Sequence, residues 1–376
     1  MGGPLAGVRV VELAGIGPSP YACMLLADLG ADVLRLERGD PDAAPESTWD
    51  LLNRSRPSVA VNLKADAGRA LVLELATRAE VLIEGFRPGV AERLGLGPVE
   101  VLARNARLVY GRMTGYGQTG PLATRAGHDI NYIALSGALW PIGRTGERPT
   151  PPLNLVGDFG GGALFLVVGV LAALSHARAT GEGQVVDAAM LDGSASMMAM
   201  THALLNAGYW VEERGVNILD TGAPFYEVYE TRDHRYVAVG AIEAKFYDAL
   251  VAGLGLDPAD LPPQMDREHW PATKARFARI FATRTRDEWE AAFEGVDACV
   301  TPVLTPREAC AHPHNVARGV FLDAPRQPAP APRFSRTPGE VTSAPLAAGS
   351  GTRAALAAWG IDASRQAQLR EAGAFS

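Results

Sequence analysis

Three ionisable side chains in this 376-residue sequence stand where acid–base chemistry could be done: His128, Asp158 and Glu243. His128 and Asp129 follow a loop rich in Gly, Thr and Pro and open a helical segment. Unpaired backbone N–H groups and the helix dipole favour negative charge at such a position. The pair could therefore combine a base with an oxyanion hole. The alternative interpretation makes Asp129 a helix-start acid and His128 a packed loop residue.

Asp158 lies between a proline-rich segment and the glycines Gly160, Gly161 and Gly162, at the start of the most apolar segment of the chain, residues 159–174. A carboxylate there is either a helix cap or a catalytic group with a displaced pKa. A cap does not require three glycines, which let a ligand or another backbone approach closely. Glu243 follows a predicted strand and opens a predicted helix, 245–254, so this segment alone indicates a helix-start acid.

Four basic residues fall near predicted strand ends: Arg38, Lys64, Arg87 and Arg93. Ligands of open α/β sheets bind outside the carboxyl ends of the strands, and guanidinium groups bind phosphates there in a bidentate manner. Each of these cations taken singly is also typical of a solvated surface.

The elements that position these residues alternate between strands and helices. Predicted strands cover 8–13, 33–36, 59–61, 81–83, 108–110 and 185–188, which predicts an α/β fold with a parallel sheet and helices on both faces. The turn Gly15-Ile16-Gly17 suggests a dinucleotide-binding fingerprint, but Pro20 stands where the third glycine belongs, so the fingerprint fails. A hairpin over 225–240 predicts a second, smaller α+β domain.

We therefore expect five parts along the chain. Residues 1–190 form the first part of a large α/β domain and 191–224 a linker helix region. Residues 225–315 form a small α+β domain and 316–350 an extended return linker, rich in Pro and Ala. Residues 351–376 form a helix that docks back on the large domain.

Composition narrows the class of protein. The net charge of −7 and a pI near 5.6 argue against a nucleic-acid-binding protein, yet leave room for a local Arg cluster that binds an anion. Cys23, Cys299 and Cys310 are too few and too scattered for a disulfide framework or a zinc site, which favours a reducing, cytoplasmic location.

No signal peptide is evident. Residues 159–174 are shorter than the roughly 20 that a membrane span needs, which predicts a buried helix and no membrane partner.

Several segments together resemble the family III CoA-transferase superfamily: 4–13, 28–33, 84–89 and 113–121. Residues 127–132 and 154–162 resemble, within that superfamily, the α-methylacyl-CoA racemases; the stretch from His128 to Tyr132 is the more specific part. The resemblance implies a Rossmann-like large domain with a parallel sheet plus a smaller α+β domain, assembled as an interlocked homodimer.

The resemblance also implies residue roles. His128 and Asp158 would flank the α-carbon of an acyl-CoA substrate, and Glu243 of the other subunit would hydrogen-bond the histidine. A backbone N–H near Asp129 would bind the thioester oxygen. Expected contacts of substrate and CoA are Ile16, Arg38, Val61, Asn62, Leu63, Lys64, Gly85, Phe86, Arg87, Arg93, Gly127, Ile130, Asn131 and Tyr132.

Chemistry explains why a pair would be needed. A base must remove the weakly acidic α-proton of the thioester, and inversion requires an acid on the opposite face. The expected function is racemisation of 2-methylacyl-CoA with no metal and no cofactor, since CoA arrives with the substrate.

Two alternatives remain. A CoA-transferase of the same superfamily would use Asp158 as a nucleophile, needs no His128 and carries a glycine run in the small domain, where residues 239–245 here have one glycine and Glu243. The chain could also bind CoA without any reaction.

Overall fold

The computed structural model describes residues 2–38 and 49–375. They fall into two compact units. Unit 1 comprises Met1–Ser136, Leu153–Met197 and Gly319–Ser376, and unit 2 comprises Gly137–Pro152 and Met198–Arg318. Unit 1 is thus assembled from three separate stretches of chain.

Unit 1 is built on a six-stranded sheet in the order β3-β2-β1-β4-β5-β6. Every pairing in it is parallel, with Val10 of β1 opposite Val33 of β2 on one side and Val81 of β4 on the other. The expected α/β fold with a parallel sheet is confirmed. Its strands are β1 Arg9–Leu13, β2 Asp32–Glu37, β3 Ser58–Ala60, β4 Val81–Glu84, β5 Val109–Thr114 and β6 Val185–Ala189.

Alternate residues of the strands enter two different cores, because successive side chains of a strand point to opposite faces. Val10 and Val109 pack with one set of helices, whereas Val11 and Tyr110 pack with another. The helices of unit 1 are α1 Pro18–Asp28, α2 Asp66–Ala76, α3 Val90–Arg93, α4 Pro98–Arg104, α5 Asp129–Leu135, a π-helix Leu155–Leu164, α6 Phe165–Thr180, α7 Met190–Met197, α14 Thr352–Ala358 and α15 Ala363–Glu371.

The apolar segment differs from expectation. The π-helix and α6 together run for 26 residues, Leu155–Thr180, and only 39% of their most apolar window is buried. The prediction of a buried helix is therefore wrong for the outer side, where Leu164, Phe165 and Val168 are exposed. By length and composition this helix could cross a bilayer, a test that core helices of soluble proteins also pass.

The C-terminal region also differs, because α14 and α15 replace the single helix that the sequence predicts. Gly360 lies between them with φ 80°, a left-handed conformation that ends the first helix. The preceding linker is largely extended and contains a short antiparallel pair, β10 Phe321–Asp323 and β11 Arg326–Pro328.

Unit 2 contains the expected hairpin, β7 Tyr226–Glu230 and β8 Tyr236–Gly240, extended by β9 Val300–Pro302 into an antiparallel sheet. Its core is aromatic, with Phe225, Phe277, Phe281 and Trp289 almost wholly buried. Its helices are α8 Ala199–Asn206, α9 Ala244–Gly253, α10 Trp270–Phe281, α11 Arg286–Ala292, α12 Pro306–Ala309 and α13 Pro313–Arg318.

Candidate active site

A cavity of about 630 Å³ lies at the carboxyl ends of β1 to β4 in unit 1. The sheet order reverses between β1 and β4, and ligands of open α/β sheets bind at such a reversal. Six of the residues expected to contact CoA line this cavity: Arg38, Val61, Asn62, Leu63, Lys64 and Phe86. The remaining lining residues are Leu13, Ala14, Leu36, Glu37, Ala60, Gly373 and Phe375.

Of the charged residues that line the cavity, one is paired within the protein and two have exposed side chains. Glu37 accepts hydrogen bonds from the Arg35 guanidinium and the Ser58 hydroxyl, so its negative charge is neutralised from the protein side. Arg38 and Lys64 carry exposed side chains at the same cavity. An anionic group entering the cavity would therefore meet two cations, while most of the lining is aliphatic or aromatic.

A buried ion pair fixes the loop after β4. The Phe86 backbone N–H donates to the Glu84 carboxylate at 2.6 Å, and Arg112 donates to the same carboxylate at 2.8 Å. Burial raises the pKa of Glu84, and Arg112 opposes that effect. This arrangement holds Gly85 against α1, where an added Cβ would lie 2.6 Å from the Ser19 hydroxyl.

Asp158 lies in the first turn of the π-helix, half-buried. Burial raises the pKa of its carboxyl group and the negative charge of Asp129 adds to that effect, while a hydrogen bond from Asn154 and the charge of His128 oppose it. The Asn154 side-chain amide donates to Asp158 Oδ2 at 3.2 Å. Single-turn π-bulges occur frequently at functional sites, and here a longer π-helix carries the candidate acid.

Asp129 connects the two site segments. Its Oδ2 accepts the backbone N–H of Asp158 at 2.7 Å, and its Oδ1 is buried with no hydrogen-bond partner among the described residues. Gly157 leaves room for this carboxylate, because a Cβ there would lie 2.5 Å from Oδ2. The helix-start interpretation of Asp129 is thus incomplete: its carboxylate binds the backbone of the π-helix.

His128 immediately precedes α5 and is exposed within unit 1. Its backbone N–H donates to the Asn131 side-chain oxygen at 3.0 Å. The next residue, Asp129, accepts the backbone N–H of Asp158, so the segments that carry the two predicted catalytic groups are in contact.

Tyr132 supports the loop that carries His128. Its hydroxyl donates to the Gly127 carbonyl, and its ring meets Tyr116 edge-on with centroids 4.9 Å apart. Burial raises the pKa of Tyr132 to about 12, so the phenol remains a donor. Arg87 lies exposed in the loop after β4, and its charge opposes the rise in the pKa of Tyr132.

The three glycines after Asp158 lie close to residues of α7. A Cβ on Gly161 would collide with Ser194 of α7, and one on Gly193 would overlap the Gly161 carbonyl oxygen. A Cβ on Gly162 would lie 2.7 Å from the Met190 side chain. Of the two possibilities that the sequence leaves open, close approach of another backbone accounts for Gly161, whereas the Met190 side chain occupies the space beside Gly162.

The other predicted residues have simpler positions. Ile16 is 84% exposed in the turn after β1, and Arg93 ends α3 with an exposed side chain. Ile130 and Asn131 lie exposed in the first turn of α5. Glu243 lies in unit 2, exposed, directly before α9.

Sequence reasoning missed Gly17, Asn154 and residues 373–375. Gly17 has φ 70°, and a Cβ on it would lie 3.1 Å from Asp158 Oδ2. The glycines of the Gly15-Ile16-Gly17 turn could have indicated a close approach at Gly17, although the turn does not match a dinucleotide-binding fingerprint. Among residues 2–38 and 49–375, no three His, Cys, Asp or Glu side chains form a group that could hold a metal ion.

Comparison with known proteins identifies the family of this chain. The family model described as CoA-transferase family III matches residues 5–351. The chain belongs to CoA-transferase family III.

Similar proteins carry a more specific name. This family III member is 48% identical over 337 residues to the mouse protein named alpha-methylacyl-CoA racemase, covering 89% of this chain and 87% of the relative. It is 46% identical over 339 residues to the human protein of that name, with the same coverage of each chain. A solved structure of a CAIB/BAIF family protein from Brucella suis superimposes with a TM-score of 0.82 at 26% identity, covering 96% of this chain and 100% of that one.

Proposed function

We propose that this family III enzyme interconverts the (2R) and (2S) forms of 2-methylacyl-CoA thioesters by moving one proton at the α-carbon. The observation that carries the proposal is that Asp129, the residue after His128, accepts the backbone N–H of Asp158 at 2.7 Å, so the segments that bear the two candidate groups are in contact. The identity of 48% to a protein named as such a racemase supports it.

In the proposed reaction one of the two groups removes the α-proton and the other delivers a proton to the opposite face of the enolate. The roles exchange in the reverse direction, because each group finishes a turnover in the protonation state in which the other began. A carboxyl with a raised pKa suits this task, since the raised pKa makes its ionised form a stronger base towards the weakly acidic α-proton. General acid–base catalysis contributes about 10²–10⁴-fold, so stabilisation of the enolate oxygen must supply much of the remainder. We assign that role to the backbone N–H of Asp129.

The proposal includes a homodimer in which Glu243 of one subunit hydrogen-bonds His128 of the other. An exposed apolar surface at the start of α6 supports an interface, because Leu164 at the end of the π-helix and Val168 of α6 are one helical turn apart and are 46% and 65% exposed in the single chain.

The test is the fate of the α-proton. A chirally pure 2-methylacyl-CoA incubated in D₂O should lose optical purity while deuterium enters the α-position. His128→Ala and Asp158→Asn should each lower the rate by about 10²-fold or more. Lys245→Ala, two residues after Glu243 in the sequence, serves as a control of comparable size change outside the pair.

A parallel incubation includes a free carboxylic acid as acceptor. Acyl exchange onto that acid without deuterium entry would replace the racemase proposal with a CoA-transferase in which Asp158 is the nucleophile. Binding of CoA with neither reaction would indicate a protein that has the fold without the activity.

A further inference from the structure

Residues 373–375 close one side of the cavity in unit 1. Gly373 and Phe375 line it, although Phe375 is only 4% exposed. The Asn62 backbone N–H, at the end of β3, donates to the Ala374 carbonyl at 2.8 Å, and the Asn62 side-chain amide donates to the Gly373 carbonyl at 3.5 Å. A segment more than 300 residues away in sequence is thus hydrogen-bonded to the residues that follow β3 and also line the cavity.

Two kinds of contact hold the ring of Phe375 in place. The Arg370 guanidinium of α15 lies 5.5 Å from the centroid of its ring, a cation–π contact. The ring also belongs to the core that contains Leu13 and Val61, two other lining residues. An aromatic surface held in this way costs little conformational entropy when a ligand packs against it.

The cavity matches the chemistry of an adenine nucleotide. It offers an apolar lining with the aromatic rings of Phe86 and Phe375, suited to a purine base, together with the cations Arg38 and Lys64, suited to phosphates. Its volume, about 630 Å³, lies within the range of small-molecule sites. Its place at the sheet reversal is where α/β folds bind such ligands.

We propose that residues 373–375, and Phe375 above all, form a specificity wall for the nucleotide end of acyl-CoA. This inference rests on the proposed function for the choice of acyl-CoA as ligand. Because the wall touches the nucleotide and not the reacting carbon, it contributes to binding equally in the ground state and the transition state. Its loss therefore raises KM and leaves kcat unchanged.

The experiment compares two substrates that differ only in the nucleotide. Wild type and Phe375→Ala are assayed with a 2-methylacyl-CoA and with the corresponding 2-methylacyl-pantetheine thioester, which lacks the nucleotide. We expect KM for the CoA substrate to rise about three- to tenfold, the value of one aromatic contact, while KM for the pantetheine substrate and both kcat values stay constant.

Matched variants separate this effect from loss of stability. Val72→Ala removes a fully buried side chain from the same core without touching the cavity, and it should leave the ratio of the two KM values unchanged. If Phe375→Ala fails to fold, Phe375→Leu replaces it, since leucine retains an apolar side chain and lacks only the ring. The ratio of KM for the CoA substrate to KM for the pantetheine substrate then tests the inference in that variant.

Racemisation with an unchanged KM ratio in the Phe375 variants would overturn the inference and leave the proposed function standing. Calorimetric titration with free CoA tests the opposite case, in which residues 373–375 bind the nucleotide but the protein does not racemise the substrate. If no racemisation occurs but Phe375→Leu weakens CoA binding about threefold or more, the wall is supported and the proposed function fails.

Discussion

Asp158 has surroundings that oppose the ionisation of its carboxyl group. Burial is the largest influence on its pKa and raises it; Asp129 contributes in the same direction, and Asn154 and His128 only partly compensate. A side chain in this state costs the protein stability at neutral pH, because the unfolded chain ionises the same group more easily. Such a cost is common where a residue is kept for chemistry.

Substitution of Asp158 by Asn should therefore stabilise the protein at pH 7. The folded-state pKa lies above the unfolded one, so the wild type loses stability as pH rises from the unfolded value through the folded value. The gain of the variant should shrink as pH falls below that window, where both states are protonated. Thermal unfolding of both proteins between pH 4 and 8 measures the difference, and a gain that grows toward low pH would contradict the assignment.

Asp129 offers a second prediction at this scale. Its negative charge raises the pKa of Asp158, so Asp129→Asn should lower that pKa while an amide oxygen can still accept the Asp158 N–H. The limb of the pH dependence of kcat/KM that belongs to Asp158 should then move to lower pH. Rates of α-proton exchange across pH reveal the shift. If that limb of the pH dependence does not move and the rate falls equally at every pH, Asp129 has only a structural role.

Among the elements, the π-helix and α7 make the closest contact in the site. Gly193 is the position that permits it, because a Cβ would overlap the Gly161 carbonyl oxygen. Alanine is favoured over glycine in a helix by about 1 kcal/mol, so free space would make the substitution stabilising.

Gly193→Ala should instead destabilise the protein by about 1–3 kcal/mol, the usual cost of overpacking. Gly240→Ala is the control, since a Cβ there meets nothing within 4 Å. Denaturant unfolding measures both variants. Equal midpoints would show that the two helices are not in the contact described.

The elements also show what the sequence can predict. Hydrophobic runs bounded by turns are a local signal, and all six strands of the parallel sheet and the hairpin of unit 2 follow from them. The π-helix does not, because its hydrogen-bond pattern depends on α7 and Asp129 packing against it. Phe375 is likewise unpredictable from its neighbours, since its role arises from contact with a strand end far away in the sequence.

At the scale of the whole molecule, the apolar side of α6 leads to a prediction about assembly. Val168 is 65% exposed there, whereas Val99 of α4 is 79% exposed elsewhere in unit 1. Burial of such a surface in a dimer would be opposed by a charge, because an unpaired ionised group is costly to remove from water.

If the proposed dimer forms through this surface, Val168→Glu should convert it into monomers and reduce α-proton exchange at the same time, because the proposed contribution of Glu243 from the partner would be lost. Val99→Glu should change neither. Light scattering coupled to size-exclusion chromatography gives the mass. A wild-type protein that is monomeric and fully active would overturn the shared site.

The discontinuity of unit 1 has a consequence for biosynthesis. Its cavity joins Leu13, near the start of the chain, to Phe375. A ribosome must have translated almost the entire message before these walls can meet, so a nascent chain has no complete nucleotide pocket. A ligand of this cavity can therefore stabilise the folded chain only once its last residues have been added.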